Sequence, residues 1–219
     1  MVESASPKRR YDASGRRRDA AQTRTRVIEA AARVFLAYGY AGATIPRIAA
    51  DAGVAVETVY RCAAGKAALL EAAVQAALAG GVVRAEVPVE ARPAIRAVIE
   101  EPDSRRQLAG YAASQPGVWS RVGPLLRVLD AAATSDDALQ ALRDQHAKTR
   151  LNGLRRFAAL LAERGALRPG VTVDRAADII WTVCAQANYD SLVTARGWTH
   201  EAYRDWLTET LAAHLLPVA

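Results

Sequence analysis

The chain has 219 residues, of which 51% are apolar and 24% charged, with a net charge of +6 and only two cysteines. This length fits one large or two modest domains, and the apolar share supplies a core and excludes a chain disordered throughout. Cys62 and Cys184 are too far apart to form a metal-ligand motif or a disulfide framework.

The charge is unevenly placed. Residues 1–66 hold 12 Lys/Arg against 6 Asp/Glu, whereas residues 67–219 hold 17 of each, so the whole excess lies in the first third. A cationic segment joined to a neutral one points to a part that meets a polyanion and a part with another task. Residues 1–26 are rich in Arg and have no apolar h-region, so no signal peptide is expected. No apolar run approaches the ~18 residues of a membrane span, and a cytoplasmic protein without a membrane partner is expected.

Residues 1–21 are polar and basic and read as a flexible arm ending near Arg16, Arg17 and Arg18. From 22 to 38, Val27, Ala31, Val34, Phe35 and Tyr38 recur at helical spacing, and Gly39 closes that helix. Thr44 caps a second short helix with Pro46 in its first turn, and Gly53 supplies the turn into a third, Val56–Cys62. A fourth helix begins at Lys66 and runs to about Leu78. Residues 80–93, with two Gly and two Pro, read as a loop. Helices are expected at 94–100, at 103–115 and at 117–133, the last broken or kinked at Gly123-Pro124. The longest spans 136–164, another 173–195, and a final one, capped by Thr199, spans 200–216. No segment alternates with strand period, so the fold class is all-α: an N-terminal three-helix helix-turn-helix domain (22–68) followed by a larger helical domain (69–219).

The segment TIPRIAADAGVAVETVYR, Thr44–Arg61, forms two short amphipathic helices about a tight turn. Ile48, Ala49, Val54 and Val59 make the seam between them. That leaves Glu57, Tyr60 and Arg61 on a face able to enter a major groove. Over residues 23–70, TRTRVIEAAARVFLAYGYAGATIPRIAADAGVAVETVYRCAAGKAALL, the chain resembles the DNA-binding domain of the tetracycline-repressor (TetR) family. The resemblance lies in TRxRVIEAAxxVF, in the helix-ending GY, in T-I-x-x-I-A-x-x-A-G-V, in T-V-Y and in K-x-x-L-L. It implies that Thr44, Thr58, Tyr60 and Lys66 contact phosphates, that Arg47 projects towards the groove, and that Val56, Glu57 and Arg61 lie nearest base edges. Two departures stand out. Val56 replaces a usual polar residue and offers only apolar contact, as to a thymine methyl. The run Cys62-Ala63-Ala64-Gly65 replaces an aromatic pair.

The resemblance weakens beyond residue 70, where it implies a dimer and a ligand cavity. Leu192, Trp198, Tyr203, Trp206, Leu207 and Leu211, near the end of the chain, are the expected dimer interface, since aromatic residues favour such surfaces. Two recognition helices about one DNA turn apart would read a palindrome. Tyr111, Trp119, Arg121, His146, Phe157, Trp181, Asn188 and Tyr189 are the candidate cavity liners, suited to a flat or amphipathic organic effector. Arg150 shares their helical stripe but reads as a surface residue. His146, His200 and His214 lack metal spacing, and no phosphate loop or nucleophile elbow appears. The expected partners are therefore double-stranded DNA, a second copy of the chain and a small-molecule effector, with no cofactor, metal or catalytic site.

Overall fold

The computed structural model describes residues 13–217, and among these the regular structure is helical throughout. The helices are α1 (Ala13–Gly42), α2 (Ile45–Ala52), α3 (Val56–Cys62), α4 (Lys66–Ala79), α5 (Val82–Ala85), α6 (Pro93–Glu100), α7 (Ser104–Ala132), α8 (Asp137–Glu163), α9 (Val173–Val183), α10 (Gln186–Tyr189) and α11 (His200–Leu215). A 3₁₀ turn at Val89–Ala91 precedes α6, and a π-helical turn at Asp190–Ala195 follows α10.

The N-terminal unit forms as its patterning requires. Val27, Ile28, Ala31, Val34 and Phe35 of α1 are buried and receive Ile48 and Ala49 of α2 and Val59 of α3. The Thr44 side chain accepts from the Arg47 backbone N–H at 3.3 Å, an N-cap whose removal typically costs ~1 kcal/mol. Gly53 adopts φ 64°, ψ 42° and returns its N–H to Ala49 and Ala50, ending α2. Gly39, at φ 65°, breaks α1 in the same left-handed region.

α7 is the central strut of the body. Leu108, Ala112, Trp119, Val122, Leu125 and Leu129 are buried along it, and α1, α4, α6, α8, α10 and α11 all pack against it. The buried apolar side chains form one contiguous cluster from Val27 to Leu216. Within α7, Arg121 Nε donates to the Ala77 carbonyl in the last turn of α4 at 3.1 Å, tying the strut to the helix that leaves the headpiece.

Several expected boundaries differ. Residues 1–12 of the expected arm lie outside the described residues, while Ala13–Ala21 continue α1; this alanine- and arginine-rich stretch favours helix propagation from a packed end. The loop expected at 80–93 contains α5 and the 3₁₀ turn. The two helices expected at 103–115 and 117–133 are one, passing through Pro116 and Pro124. Each proline lacks an N–H. Local side chains donate to carbonyls near these positions: Ser114 Oγ and Gln115 Nε2 to Tyr111, and Gln186 Nε2 to Gly123. Conversely, the helix expected at 173–195 breaks after Val183. There Arg150 donates to the carbonyls of Trp181 and Cys184, and Asn188 Nδ2 to those of Thr182 and Val183, so four carbonyls have partners outside a continuing helix.

The packing predicts a sharp contrast between two neighbours near the C-terminus. Leu207 is fully buried and Trp198 is 36% exposed. Leu207→Ala should destabilise by about 2–5 kcal/mol, lowering Tm by roughly 2–4 °C per kcal/mol, and Trp198→Ala should leave the stability of the protomer nearly unchanged, as read by thermal denaturation.

Candidate nucleic-acid interface and ligand cavity

Seven residues form α3, and Val59 is its one buried side chain. The opposite face carries exposed Glu57, Tyr60 and Arg61, with Tyr60 at 58% exposure, while Val56 and Thr58 are half-buried at its edges. Arg61 donates to Thr58 Oγ1 at 2.9 Å, so these two polar groups present themselves jointly. Thr44 is exposed at the start of α2. Arg47 folds back over the exposed Tyr38 ring, 4.4 Å from its centroid, and donates to the Gly42 carbonyl. Lys66 lies over the Tyr40 ring at 4.2 Å and donates to the Tyr40 carbonyl at 2.9 Å. The eight candidate DNA contacts thus lie on α2 with its cap, on α3 and at the first residue of α4, but Arg47 and Lys66 must leave intramolecular partners to meet a phosphate. The Arg33–Asp51 pair at 2.7 Å joins α1 to α2 at the surface, where such pairs contribute little.

A cavity of about 540 Å³ opens between α6, α7 and α8. Tyr111 and Phe157 line it and stack with ring centroids 4.9 Å apart. Ile95, Val98 and Ile99 of α6 close the facing wall, with Gly153, Leu154 and Leu160 along α8. Arg150 lines it as well, half-buried rather than on the surface as expected. Its guanidinium lies 4.3 Å from the Trp181 ring centroid and 5.6 Å from that of Trp119. These two tryptophans therefore flank Arg150 but do not themselves line the cavity.

The remaining expected liners lie elsewhere. Arg121 is committed to Ala77 at the joint between α4 and α7. His146 faces Glu71 of α4, and burial lowers its affinity for a proton more than that carboxylate raises it. Asn188 caps the broken end of α9. Tyr189 is buried against Tyr203 and shares a hydrogen bond with His200 Nε2 at 3.0 Å. The expected dimer set divides too: Tyr203, Leu207 and Leu211 are wholly buried within the protomer, where α11 packs on α7 and α9. Only Leu192, Trp198 and Trp206 keep surface that a twin could cover. The sequence reading missed α6 as a cavity wall, although Ile95, Val98 and Ile99 at i, i+3, i+4 mark an apolar face there.

Burial also sets the protonation of the groups around Arg150. It pushes the phenols of Tyr111 and Tyr203 well above their ordinary range and the Cys184 thiol up to about 12. All three are neutral at pH 7. Among the described residues, no group of three or more His, Cys, Asp or Glu could hold a metal ion, and no single helix is long and apolar enough to cross a membrane.

Residues 27–73 match the family described as bacterial regulatory proteins, tetR family. Over these residues the chain carries a headpiece of the TetR-family type. The fold agrees along most of the chain. NalD, the secondary repressor of the MexAB-OprM multidrug efflux pump in Pseudomonas aeruginosa, is 20% identical, with a TM-score of 0.68 over 90% of this chain and 98% of that one. FadR from Bacillus subtilis, in complex with stearoyl-CoA, is 19% identical, with a TM-score of 0.66 over 85% of this chain and 96% of that one. SmeT in its triclosan complex is 16% identical, with a TM-score of 0.67 over 90% and 92%. No curated protein matches the sequence.

The raised thiol value predicts a titration. Cys184 is fully buried and Cys62 half-buried, so an aromatic disulfide reagent at pH 8 should modify Cys62 in the native protein and Cys184 only on unfolding. Because the folded value of Cys184 lies above the ordinary 9.0, its contribution to stability is intact below that pH. It is lost as pH rises towards about 12, which a denaturation series in alkali should register.

Proposed function

We propose that this chain is a TetR-family repressor that binds a palindromic operator as a homodimer and is released by a small-molecule effector held in the α6–α7–α8 cavity. On this reading the chain divides into a basic arm (1–21), a DNA-binding headpiece (22–68) and a ligand-binding, dimerising body (69–219). The observation that carries it is the bare outer face of α3: Glu57, Tyr60 and Arg61 stand exposed on a helix anchored from behind by Val59. A helix held this way presents three side chains to a groove without disturbing the core. Tyr60, Thr58 and Thr44 supply hydroxyls for phosphates, and the start of α2 adds backbone N–H groups.

One such helix reads too few bases for useful specificity, which is the argument for a pair; Leu192, Trp198 and Trp206 are the surface proposed for the twin. NalD is a repressor, and FadR and SmeT form complexes with stearoyl-CoA and triclosan, which supports a repressor with an organic effector here. Release follows if the occupied cavity shifts α7, because the Arg121–Ala77 bond and the shared core pass that shift to α4 and change the separation of the two headpieces.

Footprinting on the intergenic DNA upstream of the protein's own gene tests this. It should show a palindromic protected site, with affinity falling steeply as salt rises. Tyr60→Ala and Arg61→Ala should each weaken binding by roughly tenfold or more, on the order of 1–3 kcal/mol. Affinity unaffected by either change would favour a ligand-binding protein whose headpiece no longer reads an operator, a reading that the inward-folded Arg47 and Lys66 would then support.

A further inference from the structure

Arg150 is unusual among the 17 cationic side chains beyond residue 66. It projects from the middle of α8 into the wall of the cavity, packed between two indole rings. Among the described residues no carboxylate forms an ion pair with it. Its Nη2 donates to the carbonyls of Trp181 and Cys184, which caps the C-terminal end of α9. A guanidinium has five N–H donors in a planar fork, and one nitrogen accounts for both of these bonds. The neighbouring groups do not neutralise it: Tyr111, Tyr203 and Cys184 keep their protons. Two further buried donors nearby, the Trp119 indole N–H and the Tyr203 hydroxyl, have no hydrogen-bond partner among the described residues. A partly buried cation that keeps its charge is costly unless an anion meets it.

The cavity is polarised along its length. Arg150, Gly153, Leu154, Phe157, Leu160 and Glu163 form a stripe on α8 about 20 Å long at the helical rise. Arg150 and Ser114 stand at one end. Glu163, an exposed carboxylate, stands at the other, and the Glu90–Arg156 pair at 3.2 Å lies beside the middle of the stripe, its charges offsetting each other. The wall between is aliphatic and aromatic. At Gly153 a Cβ would meet nothing within 4 Å, so the cavity is widened where a ligand's body would lie.

Resting on the reading of this cavity as an effector site, we propose that the effector is an amphipathic organic anion: a carboxylate seated on the Arg150 fork, with an apolar chain or ring running between α6 and α8. The charge at the far end, Glu163, sets the orientation by repelling the anionic group. Pairing a carboxylate with Arg150 satisfies the open side of the fork and draws on Trp119 and Trp181, which border α7 and the broken end of α9. Ligand entry is thereby coupled to the strut that meets the headpiece.

Octanoate and 1-octanol, equal in chain length, separate the possibilities by calorimetry and by tryptophan fluorescence, since two of the four tryptophans flank Arg150. A cavity that is merely apolar binds the alcohol better, because an ionised carboxylate is far costlier to desolvate. The proposal expects the reverse at pH 7: octanoate at least tenfold tighter than 1-octanol, with saturable fluorescence change. Arg150→Met should abolish that preference, and Gly153→Phe, which fills the cavity, should weaken both probes. Equal or tighter binding of the alcohol by the native protein overturns the anion assignment and leaves the cavity as an effector site. Binding of neither probe overturns both. The comparison in native protein decides even if Arg150→Met fails to fold.

Discussion

The constraint on which this molecule depends is continuity of its core. The apolar cluster does not end at the headpiece; it runs from Val27 and Phe35 of α1, through Leu69, Leu70 and Val74 of α4, to Val122, Leu125 and Leu129 of α7. Close-packed interiors transmit displacement rather than absorb it, because a side chain that moves must be followed by its neighbours. A headpiece set on a flexible linker would read DNA regardless of the state of the body. Here it shares side-chain contacts with the body, and Arg121 fastens the end of α4 to α7 by a hydrogen bond.

The same constraint explains the division of charge. The outer face of α3 stays bare because Val59, with Val56 and Cys62 partly buried beside it, holds the helix to the core from behind. The net positive charge therefore lies in residues 1–66, while residues 67–219, neutral overall, use several polar groups to join one helix to another. Arg127 pairs with Asp190 at 3.0 Å, Gln107 donates to the Val98 carbonyl, and Arg164 donates to the carbonyls of Ile99 and Glu101. The last two contacts tie α6 to α7 and to the end of α8, around the cavity that Arg150 also lines.

The headpiece was legible in the sequence because its determinants are local: a capping Thr44, a left-handed Gly53 and an apolar seam at helical spacing each act within a few residues. The body was less so, and the reasons are specific. Pro116 and Pro124 read as breaks, yet burial of α7 on several sides outweighs two lost backbone bonds. Nothing between 173 and 195 reads as a break, yet Arg150 and Asn188, the first more than 30 residues upstream of the bonds it makes, supply the donors that end α9 there. Periodicity marks which residues face inward but not against whom. Tyr203, Leu207 and Leu211 form the stripe expected of an interface and serve the protomer's own core, and Arg150 shares the stripe of His146 and Leu154 without being apolar.

If headpiece and cavity are joined through one core, their occupancies must be linked, and linkage is reciprocal. The most direct measurement is the affinity for octanoate of the free protein and of the protein saturated with its footprinted DNA. The account predicts weaker octanoate binding on DNA, by the same factor by which octanoate weakens DNA binding, roughly 5–150-fold for a coupling of this kind. Identical octanoate affinities in the two states would contradict it.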